Sequence, residues 1–317
     1  MCNQFFKCFS PSSYKNGALD ALRVLNESPI EQAEPYYYKH ASTLLSRAPT
    51  ASAKSFLSRY SEGLSATKLL PAFMHYERRR EEVKRAVEIR AEGGNDLTSH
   101  ASVKDIQIEK SRAYVDGVEV HIKVGELSQC SSFVNDESAS IKYLDGVTQF
   151  GCQSTAVYNY LISLYASMND EGPLFRFLKT HIPATPKAAQ NVAALASLSI
   201  GVVLLAGDNS PLDMSYALRV ILRTGRHFRS AVRLYMGFGM RRQATELAIK
   251  VDPALARKLA HESTDPDERR GLWLMIARNA ASDGEDRGGK DVVAKVVSVL
   301  NDCGPDVLSI EDVLPFL

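Results

Sequence analysis

The chain has 317 residues, of which 45% are hydrophobic and 24% are charged, so it can bury a substantial core and is not expected to be disordered overall. Its 38 basic and 37 acidic residues leave a net charge of +1, which provides no global electrostatic argument for binding nucleic acid or an anionic membrane. The five cysteines show neither C-x-x-C spacing nor a histidine at zinc-ligand spacing. We therefore expect thiols in a reducing compartment, no metal site and no cofactor.

Two features bear on cellular location. The polar N-terminal segment is too short for the apolar region of a signal peptide. The longest nearly continuous apolar run, residues 192–206, is shorter than the roughly 20 residues that cross a bilayer, and we interpret it as part of a core helix. These features predict a soluble, cytoplasmic protein.

Residues 1–35 are poorly patterned, apart from a candidate helix at 18–25 in which leucines recur at helical spacing (Leu19, Leu22, Leu25). Residues 36–92 form a first predicted helical block. Pro71 is expected near the start of its helix, where a missing N–H costs least. From residue 77 to 92 arginines and glutamates alternate, which predicts a solvated helix supported by ion pairs between residues four apart.

Residues 93–140 form a polar, serine-rich segment. We interpret residues from about 94 to 140 as an insertion. Val118, Val120 and Ile122 alternate with polar residues, and Asp116-Gly117 has the composition of a two-residue turn. The pattern predicts a β-hairpin at about 106–124. Because an isolated hairpin is only marginally stable, we expect it either to pack on the helices or to be mobile.

Residues 141–317 return to a helical period. Glycines such as Gly225 end the predicted helices, and capped starts begin them, at Asp252-Pro253, Asp265-Pro266 and Ser309. Another helix is predicted from Thr185-Pro186 to residue 207. One apolar stripe contains Ala217, Leu218, Ile221 and Leu222.

Helices of about 10–16 residues with short connections pack antiparallel, and each is too short to be stable alone. We therefore predict an all-α fold, an α-solenoid of stacked helical hairpins with the hairpin-containing insertion at about 94–140; a compact helical bundle is the alternative. The predicted core includes an anchor at the single tryptophan, for which an exposed partner contact is the alternative. The predicted core residues are Leu161, Leu218, Ile221, Leu247, Trp273 and Ile276.

A basic run extends from Arg219 to Arg242. Spacings of three and four place Arg226, Arg229 and Arg233 on one helix face. The run is explained either by a solvated outer face or by a docking patch for an acidic partner or an anionic lipid. His227 has no partner at catalytic spacing, and no nucleotide-binding, hydrolase or zinc-protease motif occurs, so we predict no enzyme activity.

Several segments resemble the deep orange family, vacuolar protein sorting-associated protein 18. They occur in the order and near the spacing of that family, and they extend over residues 141–317 well and 36–76 loosely. The family segments are IHNYLLSLYA, DLKYALRLC, EAVDLALQVDVDLA, KKLWLKIARH and LLKIEDVLPFF, and the matching residues here are Ser154 to Ala166, Met214 to Arg219, Ala244 to Ala256, Gly271 to Asn279 and Leu308 to Phe316. More weakly, residues 68–73 resemble the upstream segment LIPAL.

This resemblance implies a clathrin-heavy-chain-type α-solenoid in a non-enzymatic scaffold subunit of the class C tethering complexes HOPS and CORVET. The implied partners are the other class C vacuolar protein sorting subunits and, indirectly, SNAREs and Rab GTPases. The implied location is the cytosolic face of late endosomes and lysosomes, or the vacuole, where the complexes act in vesicle docking and fusion.

The sequence departs from the family in two respects. Residues 78–138 are longer than the corresponding family segment, so the hairpin has no named counterpart. The family's N-terminal β-propeller and C-terminal RING zinc domain do not occur in these residues, so we expect a part of a longer protein and carry over no ligase activity. The alternatives are another clathrin-repeat coat or transport-complex subunit and a ligase-associated helical scaffold.

Overall fold

The structure is a computed structural model, and it describes residues 16–93, 111–115, 118–122, 138–182, 211–282, 290–304 and 306–316. Apart from two short strands, the elements of these residues are helices. The chain divides into two compact units, residues 1–157 and 158–317. The division therefore falls later than residue 140, where the composition of the sequence changes.

Most of the helices in the first unit are joined by short turns. Helix α2 begins at residue 30, earlier than residue 36, where the first helical block is predicted to begin. Its proline N-cap residue, Pro29, precedes an acidic first turn, which suits the positive end of the helix dipole. The elements are α1 (Asn16–Glu27), α2 (Ile30–Arg47), α3 (Pro49–Tyr60), α4 (Ala66–Gly93), β1 (Ser111–Val115), β2 (Val118–Ile122) and α5 (Ala139–Gln149).

Strands β1 and β2 pair antiparallel, with Ser111 opposite Ile122 and Val115 opposite Val118. Both strands lie within residues 106–124, where the alternating pattern predicts a hairpin. The turn residues Asp116 and Gly117 and the flanking residues 94–110 and 123–137 lie outside the described residues.

An aromatic cluster connects four helices of the first unit. The ring of Phe56 on α3 lies edge-on to Tyr37 on α2 at 5.7 Å and to Phe73 on α4 at 6.0 Å. Phe73 in turn stacks on Tyr143 of α5 with 4.6 Å between ring centroids. Such edge-to-face and stacked pairs contribute about 0.5–1.5 kcal/mol each beyond the area that they bury. The cluster therefore holds α2, α3, α4 and α5 around one core.

Helix α1 is attached to the rest of this unit by buried and partly buried hydrogen bonds. The side-chain oxygen of Asn26 accepts from Tyr37 Oη at 2.8 Å and from Ser55 Oγ at 2.6 Å. Arg59 donates to the carbonyl oxygen of Leu25 at 3.1 Å. Leu25 is also buried, whereas Leu19 is 50% exposed, so the prediction that Leu19 shares the buried face of this helix is wrong.

Helix α4 is a single helix over 28 residues, and Pro71 lies inside it rather than at its start. The prediction for Pro71 is wrong because one missing N–H is offset by the burial of Leu69, Phe73 and other apolar neighbours. The predicted ion pairs four residues apart are confirmed in Arg78–Glu82 at 3.2 Å and Arg85–Glu81 at 3.7 Å.

Helices also make up the described part of the second unit, and the division at residue 157 falls inside α6. The elements are α6 (Thr155–Ser167), α7 (Gly172–His181), α8 (Met214–Thr224), α9 (Phe228–Gly237), α10 (Arg241–Val251), α11 (Pro253–His261), α12 (Pro266–Ser282), α13 (Lys290–Cys303), α14 (Ile310–Val313) and a 3₁₀ turn (Leu314–Phe316). The helix predicted over residues 185–207 lies outside the described residues, which end at 182 and resume at 211.

Helices α8 to α13 pack mainly on their neighbours in sequence. Helix α9 contacts α7, α8 and α10, while α10 contacts α11 and α12. Helix α12 also contacts α11 and α13. This nearest-neighbour arrangement is the contact pattern of helical repeats, and it agrees with the predicted stack of helical hairpins.

The apolar core of the second unit is continuous from Val232 on α9 to Val313 on α14. Trp273 on α12 is 0% exposed, and its ring lies 4.9 Å from the ring of His261 at an interplanar angle of 78°. The structure thus places this tryptophan in the core rather than on the surface. The helices from α9 to α14 depend on the same cluster of side chains.

The structure buries Leu161, Ile221, Trp273 and Ile276 among the predicted core residues, and it leaves Leu218 and Leu247 half-buried. Leu222 is 45% exposed, so its predicted place in the apolar stripe of α8 is wrong. Consecutive helical residues differ by about 100° around the axis, which turns Leu222 away from the contact made by Ile221.

The predicted helix ends are confirmed in the second unit. Gly225 ends α8 with φ of 64°, a left-handed conformation that glycine adopts at little cost. Asp252 accepts hydrogen bonds from the N–H groups of Ala254 and Leu255 at the start of α11. The N–H of Ser309 donates to Asp312 at 3.0 Å in a capping box. This bond, followed by Arg270, holds the pKa of Asp312 below its ordinary value.

Gly237, the last residue of α9, permits a close helix approach. A Cβ at this position would lie 2.7 Å from Cγ2 of Ile182 and 3.3 Å from Sδ of Met214. The optimal separation of two carbon atoms is about 3.5–4.0 Å, so the space beside Gly237 is too small for a Cβ atom. Gly237 therefore brings α9 against the end of α7 and the start of α8.

We expect Gly237→Ala to lower the free energy of unfolding by about 1–3 kcal/mol, because the added methyl group overpacks this contact. The matched control is Gly271→Ala inside α12, where an added Cβ has nothing within 4 Å. That change should raise the free energy of unfolding by about 0.5–1 kcal/mol, because alanine favours a helix. Urea unfolding followed by circular dichroism measures both, and shifts of the same sign would contradict the close approach.

Truncating Trp273 to Ala should lower the free energy of unfolding by about 3–5 kcal/mol, the cost of a large cavity in the core. Truncating the exposed Leu222 to Ala should change it by no more than about 0.5 kcal/mol. Thermal and urea unfolding, again followed by circular dichroism, compare the two variants. A similar small effect for both would show that Trp273 is not a core anchor.

Candidate functional site

The titratable groups with raised pKa values do not resemble a catalytic centre. Burial raises the pKa of the Cys303 thiol and of the Tyr143 hydroxyl, which disfavours the anionic form that a nucleophile needs. Within the described ranges, no group of three or more His, Cys, Asp or Glu side chains is placed to hold a metal ion. None of the described helices is long and apolar enough to span a membrane.

The basic run maps to α8, α9 and the first turn of α10. Residues 214–242 contain seven arginines and neither an acidic residue nor a lysine. Because this segment carries only positive side chains, it concentrates positive potential locally, although the whole chain has a net charge of only +1. The structure assigns different surroundings to the individual arginines, and these determine which guanidinium groups are available to a partner.

Arg226 is exposed, and it follows the left-handed Gly225 at the end of α8. Its Nη1 donates to the side-chain oxygen of Asn169, between α6 and α7, at 2.9 Å. The acceptor is neutral, so the bond orients the guanidinium group without cancelling its charge. Arg226 therefore remains able to attract an anion.

Arg229 forms an ion pair. Its Nη2 lies 3.2 Å from Oδ2 of Asp252, which is the N-cap residue of α11. The arginine side chain is 60% exposed, so water screens the pair, and such pairs contribute about 0.2–1 kcal/mol. Arg229 thus connects α9 to the cap of α11, and its charge is balanced within the chain.

Arg233 is half-buried and makes a hydrogen bond that connects α9 to the end of α7. Its Nη2 donates to the carbonyl oxygen of Ile182, the C-cap residue of α7, at 2.5 Å. Cations near helix C-termini are favourable because the free carbonyl groups carry partial negative charge. Arg226, Arg229 and Arg233 therefore have three different environments, although their spacing places them on one face.

Two further arginines, Arg219 and Arg223, are exposed on α8 on either side of the exposed Leu222. Among the residues that the structure describes, neither arginine forms an ion pair, whereas Arg241 lies 3.6 Å from Glu268. The sequence pattern places Arg219 and Arg223 in the basic run but does not mark them as docking residues. Their spacing of four, with Leu222 between them, is the signal that distinguishes them.

His227 has a structural role at the start of α9. It is 1% exposed, and its Nε2 lies 3.1 Å from the carbonyl oxygen of Ala166, so this nitrogen carries the hydrogen. The carboxylate of Glu171 accepts from the N–H of Ser230 at 2.7 Å in the first turn of the same helix. Both bonds fix the N-terminus of α9, which agrees with the structural assignment of His227.

We expect Asp252→Ala to lower the free energy of unfolding by about 0.5–2 kcal/mol, because α11 loses its N-cap acceptor. Asp252→Asn keeps a capping oxygen and removes only the charge that faces Arg229, so it should cost about 0.2–1 kcal/mol. Urea unfolding at low and high salt measures both changes. Equal losses that disappear at high salt would show that the ion pair, and not the cap, is the stabilising contact.

Comparison with known proteins places this arrangement in a family. Residues 111–281 match the family model described as "VPS18, alpha-solenoid domain, second half". The vacuolar sorting protein 18 of Arabidopsis thaliana is 31% identical over 185 residues, which are 57% of this chain and 16% of the relative. The vacuolar protein sorting-associated protein 18 homolog of Danio rerio is 30% identical over 181 residues, 56% of this chain and 15% of the relative.

The matched part of this chain thus spans about one sixth of the length of each relative. The family match begins at residue 111 and so includes β1 and β2, and the interpretation of residues 94–140 as an insertion without a family counterpart is not supported. More than half of the chain lies within the match, and its helices are stacked as the family description states. The chain belongs to the VPS18 family and contains the second half of its α-solenoid domain.

Proposed function

We propose that the chain is the solenoid part of a non-enzymatic scaffold subunit that acts in vacuolar protein sorting. The observation that carries the proposal is the family match over residues 111–281, together with two relatives whose names describe vacuolar sorting. The packing of the second unit supports it, because a continuous core from α9 to α14 suits a scaffold of stacked helices.

The more specific role is membrane tethering within a HOPS or CORVET complex. In this role the helical array holds the binding sites of its partners at fixed separations, so that a vesicle and its target membrane are brought together before fusion. Its partners are the other class C vacuolar protein sorting subunits, and it reaches Rab GTPases and SNAREs through them. Its location is the cytosolic face of late endosomes, lysosomes or the vacuole, where the complex attaches it peripherally.

The contacts between such subunits are large surfaces rather than deep pockets. Stable protein interfaces bury about 1,200–2,000 Å² in total, and interfaces of permanent complexes bury more. The outward faces of short stacked helices provide this kind of surface. The first unit has a core of its own, which contains the aromatic cluster of Phe56, Phe73 and Tyr143.

The test is purification of the natural full-length gene product through an epitope tag inserted at its own locus, followed by quantitative mass spectrometry. We expect the other class C subunits in near-equal amounts with the tagged protein, and we expect them to remain bound after a high-salt wash. The matched control is the same tag on an unrelated helical-repeat protein of the same cells. Purification without any class C subunit would contradict the proposal.

The same experiment separates the alternative, a clathrin-repeat subunit of another coat or transport complex. Stacked helical hairpins occur in both classes, so the fold of α7 to α14 is compatible with either. Coat subunits in place of class C subunits would favour the alternative. Association with ubiquitin-transfer proteins alone would favour a ligase-associated scaffold.

A further inference from the structure

The outward side of α8 carries two exposed arginines and one exposed apolar side chain. Ala217 and Ile221 bury the opposite side of this helix and are 0% and 1% exposed. Arg219, Leu222 and Arg223 are exposed, and their spacing of three and four places them together on the side away from the core. We call these three residues the α8 face.

The charge of the α8 face is not compensated within the described part of the chain. Residues 214–242 contain no acidic side chain, and the two ion pairs of this region, Arg229–Asp252 and Arg241–Glu268, use other arginines. Arg226 adjoins the face, and its bond to Asn169 leaves its charge available. Leu222, which is 45% exposed, lies beside these arginines, so apolar surface adjoins positive charge that has no ion-pair partner among the described residues.

We propose that the α8 face binds an acidic amphipathic helix of another protein, in which an apolar side chain contacts Leu222 and neighbouring carboxylates pair with Arg219 and Arg223. Residues at i, i+3 and i+4 form the ridge that packs into the groove of a second helix. Guanidinium groups bind carboxylates through two parallel hydrogen bonds, and the absence of lysine from this run favours that geometry over a diffuse positive field.

An anionic membrane fits the α8 face less well than a protein partner. Lipid-binding patches use clusters of about four to eight lysines or arginines, whereas this face has two arginines and the adjoining Arg226. Binding of a protein instead concentrates at a few desolvated contacts surrounded by polar groups. Leu222 provides one such apolar contact, and Arg219 and Arg223 provide polar groups next to it. This inference does not depend on the complex in which the chain acts.

The probe for the test is a fluorescein-labelled, alanine-rich helical peptide that contains the segment Glu-Ala-Ala-Leu-Glu once, so that one leucine and two carboxylates lie on the same side of the helix. Its fluorescence anisotropy is titrated with the full 317-residue chain. Two matched peptides replace either the glutamates by glutamine or the leucine by alanine. We expect saturable binding of the first peptide and roughly tenfold weaker binding of each of the other two.

The protein variants are Arg219→Glu/Arg223→Glu and, as a control of equal charge change, Arg242→Glu/Lys295→Glu, both at exposed positions of the second unit. The first variant should weaken binding of the acidic peptide roughly tenfold or more and should bind a peptide with lysine in place of glutamate. The control should bind the acidic peptide as the natural chain does. Circular dichroism confirms that each variant is folded.

Three outcomes would overturn the inference. The first is no saturable binding of the acidic peptide. The second is equal weakening by the α8 variant and the control variant, which would indicate only a general positive field. The third is binding to phosphatidylcholine–phosphatidylserine vesicles that depends on Arg219 and Arg223 while the peptide does not bind, which would assign the face to a membrane.

Discussion

The helices from α9 to α14 are stable because they share one apolar core. Helix α9 has 10 residues and helix α11 has 9. Isolated helices of this length are not stable in water. The cluster around Trp273 links α9 to α14 through buried contacts between successive helices. Stability of this part is therefore a property of the interfaces, and the helices form together with them.

The helix ends determine how closely those interfaces can form. Gly237 removes a side chain where α9 meets Ile182 and Met214, and Arg233 donates to the carbonyl oxygen of the same Ile182. His227 and the carboxylate of Glu171 hold the other end of α9. Both ends of α9 are thus connected to the preceding helices by hydrogen bonds or close packing, which limits its freedom to rotate or slide.

Much of the fold follows from local sequence signals, because capping residues and helical periodicity act within a few residues of each other. Asp252, Gly225 and Ser309 mark helix ends that the structure contains. The helix position of Pro71 and the exposure of Leu222 do not follow from local signals. Whether a proline is tolerated, or which edge of an apolar stripe is covered, depends on neighbouring helices that periodicity does not identify.

The candidate site could be located from the sequence only as a basic run. Spacing placed Arg226, Arg229 and Arg233 on one face, but their partners are distant in sequence: Asn169, Asp252 and the backbone carbonyl of Ile182. A backbone carbonyl leaves no signal in the sequence. The difference between an arginine that stabilises the fold and one that remains available, such as Arg219, therefore required the tertiary structure.

The position of the single tryptophan has a practical consequence for spectroscopy. Trp273 lies in the core of the second unit, while the aromatic cluster of the first unit is made of phenylalanine and tyrosine. Selective excitation of indole therefore reports on residues 158–317 in the intact chain, without a dye or a second tryptophan. Loss of that signal and loss of total helix content can be followed in one sample, so the unfolding order of the two units is open to direct observation.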